Sequence, residues 1–238
     1  MLPFAGLPMS AFASTWVDIE LTCPVCGTGN LFKKPASFGT YVYQEPSRFQ
    51  YVFWPATTDT FLYTCRRCHL SAYMQDFSNV PPEKIAPLAA MLERDGALDG
   101  AVIPYYEIPM TLRLAIGRRV YEELGRDTEF WCEFHRIAAY HYAESSQPER
   151  AHDARATALA EARALLDAEP AASRKELLVI VAAMQFFTGD AAGARDSLSE
   201  AEQHTFQSAD RESTALDAFL SSLIVDFRSE LLSGGEPR

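Results

Sequence analysis

Two short elements of the sequence carry four cysteines at a spacing that suits metal binding. They read CPVCG at residues 23–27 and CRRCH at residues 65–69, and 38 residues lie between Cys26 and Cys65. Each Cys-x-x-Cys loop can offer two sulfurs to one ion, and four thiolates in two such pairs are the donor set of a tetrahedral structural zinc site. The sequence therefore predicts one structural Zn²⁺, with no open position for water or substrate, bound by Cys23, Cys26, Cys65 and Cys68.

Composition and charge set the expected compartment and the expected partners. The chain has 238 residues, 21 Lys and Arg against 32 Asp and Glu, and a formal net charge of −11. The apolar stretch at residues 1–15 has no Lys or Arg, so it lacks the charged start of a secretory signal, and no apolar run reaches the length of a membrane span. We expect a cytoplasmic protein whose five cysteines stay reduced, which favours metal binding over disulfides.

The region from residue 16 to residue 80 has the pattern of short strands. Alternating, β-branched and aromatic residues predict strands at 17–21, 41–43, 51–54 and 61–63, and the first and last of these lead into the cysteine pairs. Gly27 can take positive φ after the first pair, whereas His69 holds the matching place after the second pair. A module of this size has a marginal core, so loss of the metal is expected to unfold it.

Beyond residue 104 the apolar period changes from two to about 3.6, which predicts helices. The first two are expected at 111–124 and from Asp127 to about residue 144, and an alanine-rich helix that packs internally is expected from Pro148. A further helix ends at Gly189, the next begins at Asp190, and the last covers 216–231. The predicted fold class is α+β. Its parts are an apolar tail at 1–15, a zinc-ribbon-like β module at 16–80, a linker with a short helix at 81–103, a helical domain at 104–232 and a disordered tail at 233–238.

Two of the predicted helix joints have similar sequences, ELGRD at 123–127 and FTGD at 187–190. Gly125 and Gly189 lie 64 residues apart, close to two periods of the tetratricopeptide repeat, which is roughly 34 residues long. The tryptophan, tyrosine and proline signature of that repeat is incomplete. We therefore expect antiparallel helical hairpins of a degenerate, tetratricopeptide-like kind.

Two other roles for the cysteine region stay open. A Cys-Pro-x-Cys pair can have the lowered thiol pKa of a redox centre, but such a pair is typical of a strand followed by a helix, and here strands surround both pairs. Arg66 and Arg67, together with aromatic residues between 38 and 63, could contact nucleic acid. The two arginines also offset the negative charge of a tetrathiolate site, and an acidic chain disfavours a phosphate backbone.

A second group of reactive residue types falls on one predicted helix. Cys132 and His135 are one turn apart, a spacing that a nucleophile and its base could use, and His141 follows on the same helix. Incidental polar residues on a helix surface are the simpler interpretation. The sequence has no Gly-rich phosphate loop and no serine nucleophile motif, so we expect no enzyme activity.

With both halves considered, the chain resembles an uncharacterised bacterial family of unknown function in which a paired Cys-x-x-Cys module precedes tetratricopeptide-like helices. The resemblance spans residues 18–203 and is carried by CPVCG (23–27), YTCRRC (63–68), SAYMQDF (71–77), LRLA (112–115), ELG (123–125) and GDAAGA (189–194). It implies that the four cysteines are zinc ligands. Arg66 and His69 stand where the family tends to show Pro and Gly, which implies a looser second turn or a contribution of His69 to the metal site.

Together these features predict a cytoplasmic, non-enzymatic adaptor that is stabilised by zinc and binds a protein or peptide through its helical half. The acidic surface favours a basic segment as the partner, and neither nucleic acid nor a membrane is expected. A nucleic-acid-associated regulatory zinc-ribbon protein is the alternative function, and a Cys-x-x-Cys thiol-redox protein is a further one.

Overall fold

The computed structural model describes residues 15–37, 48–52, 55–95, 104–168, 174–207 and 213–233. The described residues form two small antiparallel sheets and seven α-helices. The chain therefore combines helices with antiparallel strands, as the predicted α+β class requires. The strand predicted at 41–43 and nearly all of the two predicted tails lie outside the described residues.

Both sheets are hairpins, and each holds one cysteine pair in its turn. β1 (Thr15–Thr22) pairs with β2 (Gly29–Ser37), and β3 (Leu62–Thr64) pairs with β4 (Ser71–Tyr73). The last pairs of the two ladders are Thr22 with Gly29 and Thr64 with Ser71, so the strands close directly beside the cysteine turns. The prediction that strands lead into both cysteine pairs is confirmed.

The strand predicted at 51–54 is wrong for the residues that the structure describes there. A 3-10 helix at Arg48–Gln50 leads into Tyr51, which has a left-handed conformation with φ 52°, and Val52 forms an isolated bridge. Tyr51 and Val52 are both buried. Their aromatic and β-branched character therefore reflects burial, which favours the same residue types as strand pairing does.

Seven helices follow β4 in the described part of the chain. They are α1 (Pro82–Asp95), α2 (Met110–Leu124), α3 (Thr128–Glu144), α4 (Pro148–Ala168), α5 (Arg174–Phe187), α6 (Ala191–Ala201) and α7 (Ser213–Ser233). Asp127 and Asp190 cap α3 and α6 by accepting backbone hydrogen bonds at 2.9 and 2.8 Å, and Gly125 and Gly189 have positive φ. The predicted joints are thus confirmed.

Within the described residues, no helix is both long and apolar enough to cross a membrane.

Helices α3 to α6 turn back on one another and stack. Three residues separate α3 from α4, and three separate α5 from α6, so each pair forms a hairpin, and α4 also packs on α5. Helix α4 has four buried alanines on its packed side, which let its neighbours approach closely: Ala151, Ala154, Ala158 and Ala162. The alanine-rich helix packs internally, as predicted.

Two hydrophobic clusters organise these elements. The first joins β2, β3 and β4 to α1, α2 and α3, and the second is formed mainly by α4 to α7. A Cβ atom added to Gly117 on α2 would lie 3.4 Å from the carbonyl oxygen of Ser71, so α2 lies directly against β4. The division predicted at residues 81–103 stays a prediction, while the first cluster extends across it.

Arg113 on α2 fixes this junction with a fully buried guanidinium group. Its Nε donates to the carbonyl oxygen of Ile108 at 2.8 Å, and its Nη1 donates to those of Asp59 at 2.7 Å and Leu62 at 2.8 Å. Burial lowers the pKa of Arg113 to about 10, so the group stays charged at neutral pH. A buried charge is tolerated when its donors find acceptors, and here Nε and Nη1 find them in two separate stretches of the chain, while Nη2 lies 3.8 Å from the Asp59 carboxylate.

We expect Arg113→Met to lower the free energy of unfolding by about 3 kcal/mol, because the carbonyl oxygens of the buried Leu62 and Ile108 and of the exposed Asp59 lose their donor. Arg118→Met is the matched control. Arg118 lies on the same helix but is exposed and pairs with Glu122 at 3.0 Å, so its loss should cost about 0.5 kcal/mol or less. Urea unfolding followed by circular dichroism measures both values, and equal effects of the two variants would contradict the role given to Arg113.

Candidate metal centre

The two cysteine turns have the same backbone hydrogen bonds. In the first turn Gly27 N donates to Cys23 O at 2.9 Å, and in the second His69 N donates to Cys65 O at 3.0 Å. The amide of the first cysteine of each turn is also bound at 2.9 Å, to Thr28 O and Leu70 O respectively. Each turn therefore presents its two thiols in a similar way, and each is supported by the strands on both sides.

Gly27 and His69 occupy matching places in the two turns. Gly27 has φ 70° and His69 has φ 61°. Glycine adopts this left-handed conformation freely, whereas a residue with a Cβ atom is strained there. His69 therefore adopts the left-handed conformation that its place, matching that of Gly27, leads one to expect.

The four predicted ligands converge. Their Sγ atoms all lie within 4.8 Å of one another, and two separations of 3.6 Å join different turns, Cys23 to Cys68 and Cys26 to Cys65. Zn–S bonds of about 2.3 Å in a tetrahedron place sulfurs about 3.8 Å apart, so the observed spacing fits a tetrahedral ion. The cluster could hold one metal ion with all four positions filled by the protein.

The thiols of the cluster affect one another's protonation. Hydrogen bonding to Cys23 and Cys68 lowers the pKa of the Cys65 thiol well below its ordinary value. Hydrogen bonding to Cys23 raises the pKa of Cys68, and hydrogen bonding to Cys65 raises the pKa of Cys23 to about 12. Thiolates this close repel one another, so a single negative charge is favoured unless a cation compensates the others. Binding of a metal cation would therefore release protons from the cluster.

Asn30 at the start of β2 connects the two turns. It is buried, its Nδ2 donates to Thr28 O at 2.7 Å and to Cys65 Sγ at 3.7 Å, and its Oδ1 accepts from Arg66 N at 2.9 Å. Sequence reasoning missed this residue, because an asparagine four positions after Cys26 has no distinguishing signal of its own. Its side chain orients the second turn relative to the first.

Arg66 and Arg67 contact the centre through their backbones. Both side chains are exposed, while the backbone N–H of Arg67 donates to Cys65 Sγ at 3.5 Å. Backbone N–H groups aimed at sulfur favour the thiolate form. The predicted offsetting of cluster charge by the two guanidinium groups stays a prediction, since the described contacts are made by main-chain atoms.

His69 does not belong to the cluster. The group close enough to hold an ion, among the described residues, contains the four cysteines alone. The His69 ring is half-buried, and burial lowers its pKa. The group that could hold an ion therefore consists of the four sulfurs, without the imidazole of His69.

The residues Cys132, His135 and His141 do not form a site together. Cys132 Sγ donates to Ala158 O at 3.7 Å, His135 Nδ1 lies 2.8 Å from Glu161 Oε2, and His141 Nε2 lies 2.8 Å from Ala56 O. Cys132 and His141 are buried, so the expectation of a helix surface is wrong for these two. Burial raises the pKa of Cys132 and lowers that of His141, which suits a protonated thiol and a neutral imidazole in packed positions.

No family model, no curated protein and no solved structure matches this chain. The family resemblance therefore stays a prediction.

We expect Asn30→Ala to weaken zinc binding about tenfold, because groups that orient metal ligands typically contribute 10- to 100-fold to affinity. Competition with a chromophoric chelator measures the dissociation constant. Asn79→Ala is the control, since Asn79 is exposed and its side chain donates to the nearby Gln75 O at 2.6 Å, away from the cysteines. Unchanged affinity in Asn30→Ala would show that Asn30 does not organise the centre.

His69→Gly should raise the free energy of unfolding by about 1 kcal/mol, because it removes the strain of a left-handed residue with a side chain. Gly27→Ala in the other turn should have the opposite sign. Thermal unfolding measures both, and chelator competition on the same samples should show zinc affinity unchanged in His69→Gly. A tenfold loss of affinity in that variant would instead make His69 a ligand.

Proposed function

We propose that Cys23, Cys26, Cys65 and Cys68 bind one structural zinc ion. The observation that carries this proposal is the convergence of the four Sγ atoms within 4.8 Å, two from each hairpin turn. Soft thiolate ligands in a tetrahedral arrangement favour zinc, and four protein ligands leave no position for a substrate. When bound, the ion supplies the positive charge that lets all four thiols ionise, and it joins the two turns.

The effect of such an ion on the fold follows from how the first hairpin is held. The ring of Phe32 on β2 stacks on that of Tyr63, with 4.1 Å between the ring centroids. It also contacts the rings of Phe77 and Tyr105 edge-on, at centroid distances of 4.7 and 5.0 Å. β1 is largely exposed and packs mainly on β2. The Phe32 ring, the backbone hydrogen bonds of Lys33 with Tyr63 and Tyr105, Asn30 and the cysteine cluster therefore hold this hairpin against the rest. Zinc would add a further attachment to a zinc-ribbon-like module.

We further propose that the protein is a non-enzymatic adaptor whose tetratricopeptide-like helical half binds a protein or peptide. The stacked hairpins α3–α4 and α5–α6 support this, because stacked helical hairpins form extended surfaces suited to peptides. The separate partners of Cys132, His135 and His141 also support it, since these residues form no catalytic group. A cytoplasmic location is part of the proposal.

The zinc proposal predicts one zinc ion per chain in native mass spectrometry, and loss of that ion in Cys26→Ser. Cys132→Ser is the matched control, because Cys132 is a buried cysteine outside the cluster, and it should keep the ion. Chelation should lower the thermal midpoint strongly, since structural zinc contributes on the order of 10 kcal/mol, and should make four further thiols reactive. A metal-free protein with a disulfide between Cys23 and Cys26 would contradict the proposal and support a redox centre.

The adaptor proposal is tested by capture and reconstitution. Zinc-loaded full-length protein is cross-linked in lysate, and a captured protein is purified and titrated back onto the zinc-loaded chain by calorimetry. A saturable complex of defined stoichiometry supports the proposal. If no captured protein binds the zinc-loaded chain in this titration, the adaptor proposal is wrong.

Nucleic-acid binding is the second candidate, and one cavity favours it. A cavity of about 420 Å³ beside the metal centre is lined by Arg66, Lys33 and the exposed Tyr106, which offer positive charge and a stacking surface. Asp18 lines the same cavity and pairs with Lys33 at 2.6 Å, which opposes a phosphate. Salt-dependent retention on single-stranded nucleic acid at physiological ionic strength, lost in Arg66→Ala, would favour this function over the adaptor.

A further inference from the structure

Residues 49–52, here called the inner segment, lie within the 38 residues between the cysteine pairs but reach into the helical half. Gln50 and Tyr51 are buried at 5% and 2% exposure. Tyr51 belongs to the second hydrophobic cluster and Val52 to the first. The inner segment is therefore a ligand-like insertion of the N-terminal half into the helices.

The helices form a groove around this segment, here called the helical groove, from Arg136, Arg155, Glu176, Phe219 and Phe227. Arg136 Nη1 donates to Tyr51 O, Arg155 Nη2 donates to Gln50 Oε1 at 3.2 Å, and Glu176 Oε1 accepts from the Tyr51 hydroxyl at 2.8 Å. The ring of Phe49 stacks on that of Phe227 with 4.9 Å between the ring centroids, and the ring centroids of Tyr51 and Phe219 are 6.5 Å apart. Four helices thus contact three consecutive residues of one short segment, Phe49, Gln50 and Tyr51.

The helical groove contains two buried cations, Arg136 and Arg155, and one carboxylate, that of Glu176, which accepts from the Tyr51 hydroxyl. Arg136 and Arg155 are 8% and 7% exposed, and neither forms an ion pair with a carboxylate in the described part of the chain. Arg155 Nε is buried without a hydrogen-bond partner there, and burial lowers the pKa of Arg155. Burying a cation without an anion is costly, so this groove is better suited to a negatively charged group than to the neutral amide of Gln50.

We propose that the helical groove is the partner-binding surface, that the inner segment occupies it as an internal ligand, and that the partner is a peptide with two aromatic residues flanking an acidic one. The acidic side chain takes the place of Gln50 and pairs with Arg155. This inference rests on the proposed adaptor function, whose surface and partner chemistry it names. It replaces the basic partner expected from the net charge with an acidic one, because the groove carries the buried Arg136 and Arg155.

Displacement of the inner segment is feasible because of this mismatch. A tethered segment acts at an effective concentration in the millimolar range, so a partner must bind the groove more tightly than the segment does. A carboxylate on a guanidinium group makes charge-assisted hydrogen bonds that are roughly twice as strong as neutral ones. The neutral Gln50 therefore keeps the groove filled, while an acidic peptide binds the same groove with higher affinity.

The test uses the full chain with the inner segment weakened by Phe49→Ala and Tyr51→Ala. Two fluorescent peptides of residues 46–55, one native and one with Gln50→Glu, are titrated by anisotropy. We expect the acidic peptide to bind the double variant at least tenfold more tightly than the native peptide, and more tightly than it binds the wild type. Adding Arg155→Met should abolish the preference. Equal affinities, no binding to a folded double variant, or a preserved preference without Arg155 would overturn the proposal.

A second measurement does not depend on the double variant. Gln50→Glu in the otherwise intact chain should raise the thermal midpoint by about 3 °C, whereas Gln75→Glu at an exposed position should not. A lowered midpoint would reject the acidic preference. A wild-type dimer that dissociates in the double variant would assign the groove to exchange of the inner segment between copies, and would overturn the peptide partner. If these tests fail but a captured partner still forms a complex with the chain, the adaptor function is supported and the helical groove is not its binding surface.

Discussion

A guanidinium group with no exposed surface, as in Arg113, constrains its surroundings, because the carbonyl oxygens that accept from its Nε and Nη1 must stay in place. The acceptors are the carbonyl oxygens of Asp59, Leu62 and Ile108, so the approach to β3 and the entry to α2 are fixed relative to each other. β3 leads directly to Cys65. The position of the second cysteine turn is therefore determined by a helix, and that of the first by the packing of Phe32 and by Asn30.

The features that could be predicted from the sequence are those that short stretches determine. Cys-x-x-Cys pairs between strands, the Asp127 and Asp190 caps and the Gly125 and Gly189 joints each depend on residues within a few positions of one another, and all of them occur in the structure. The coarse class followed from the change in apolar period. The positive φ of His69 could also be predicted, because Gly27 occupies the matching place in the first turn and glycine adopts positive φ freely.

The features that could not be predicted depend on contacts between distant parts of the chain. Arg113 looks like an ordinary helix arginine until its three carbonyl partners are known, and Asn30 acquires its role from Arg66 and Cys65, which lie about 35 positions away. The strand wrongly predicted at 51–54 has the same cause. Buried aromatic residues have similar patterns whether they pair with a strand or, like Tyr51, pack against helices that come much later in the sequence.

The distance in sequence between the inner segment and its contacts also determines when they can form in a growing chain. Phe227 follows Phe49 by 178 positions, and its ring is the one on which Phe49 stacks. At synthesis rates of about 5–20 residues per second, roughly 10 to 35 s pass between the two, while all four cysteines are made within about 10 s of the first. The nascent chain thus has its complete metal ligand set well before α7 exists. During that interval, Phe49 and Tyr51 are apolar surface available to chaperones and to neighbouring nascent chains.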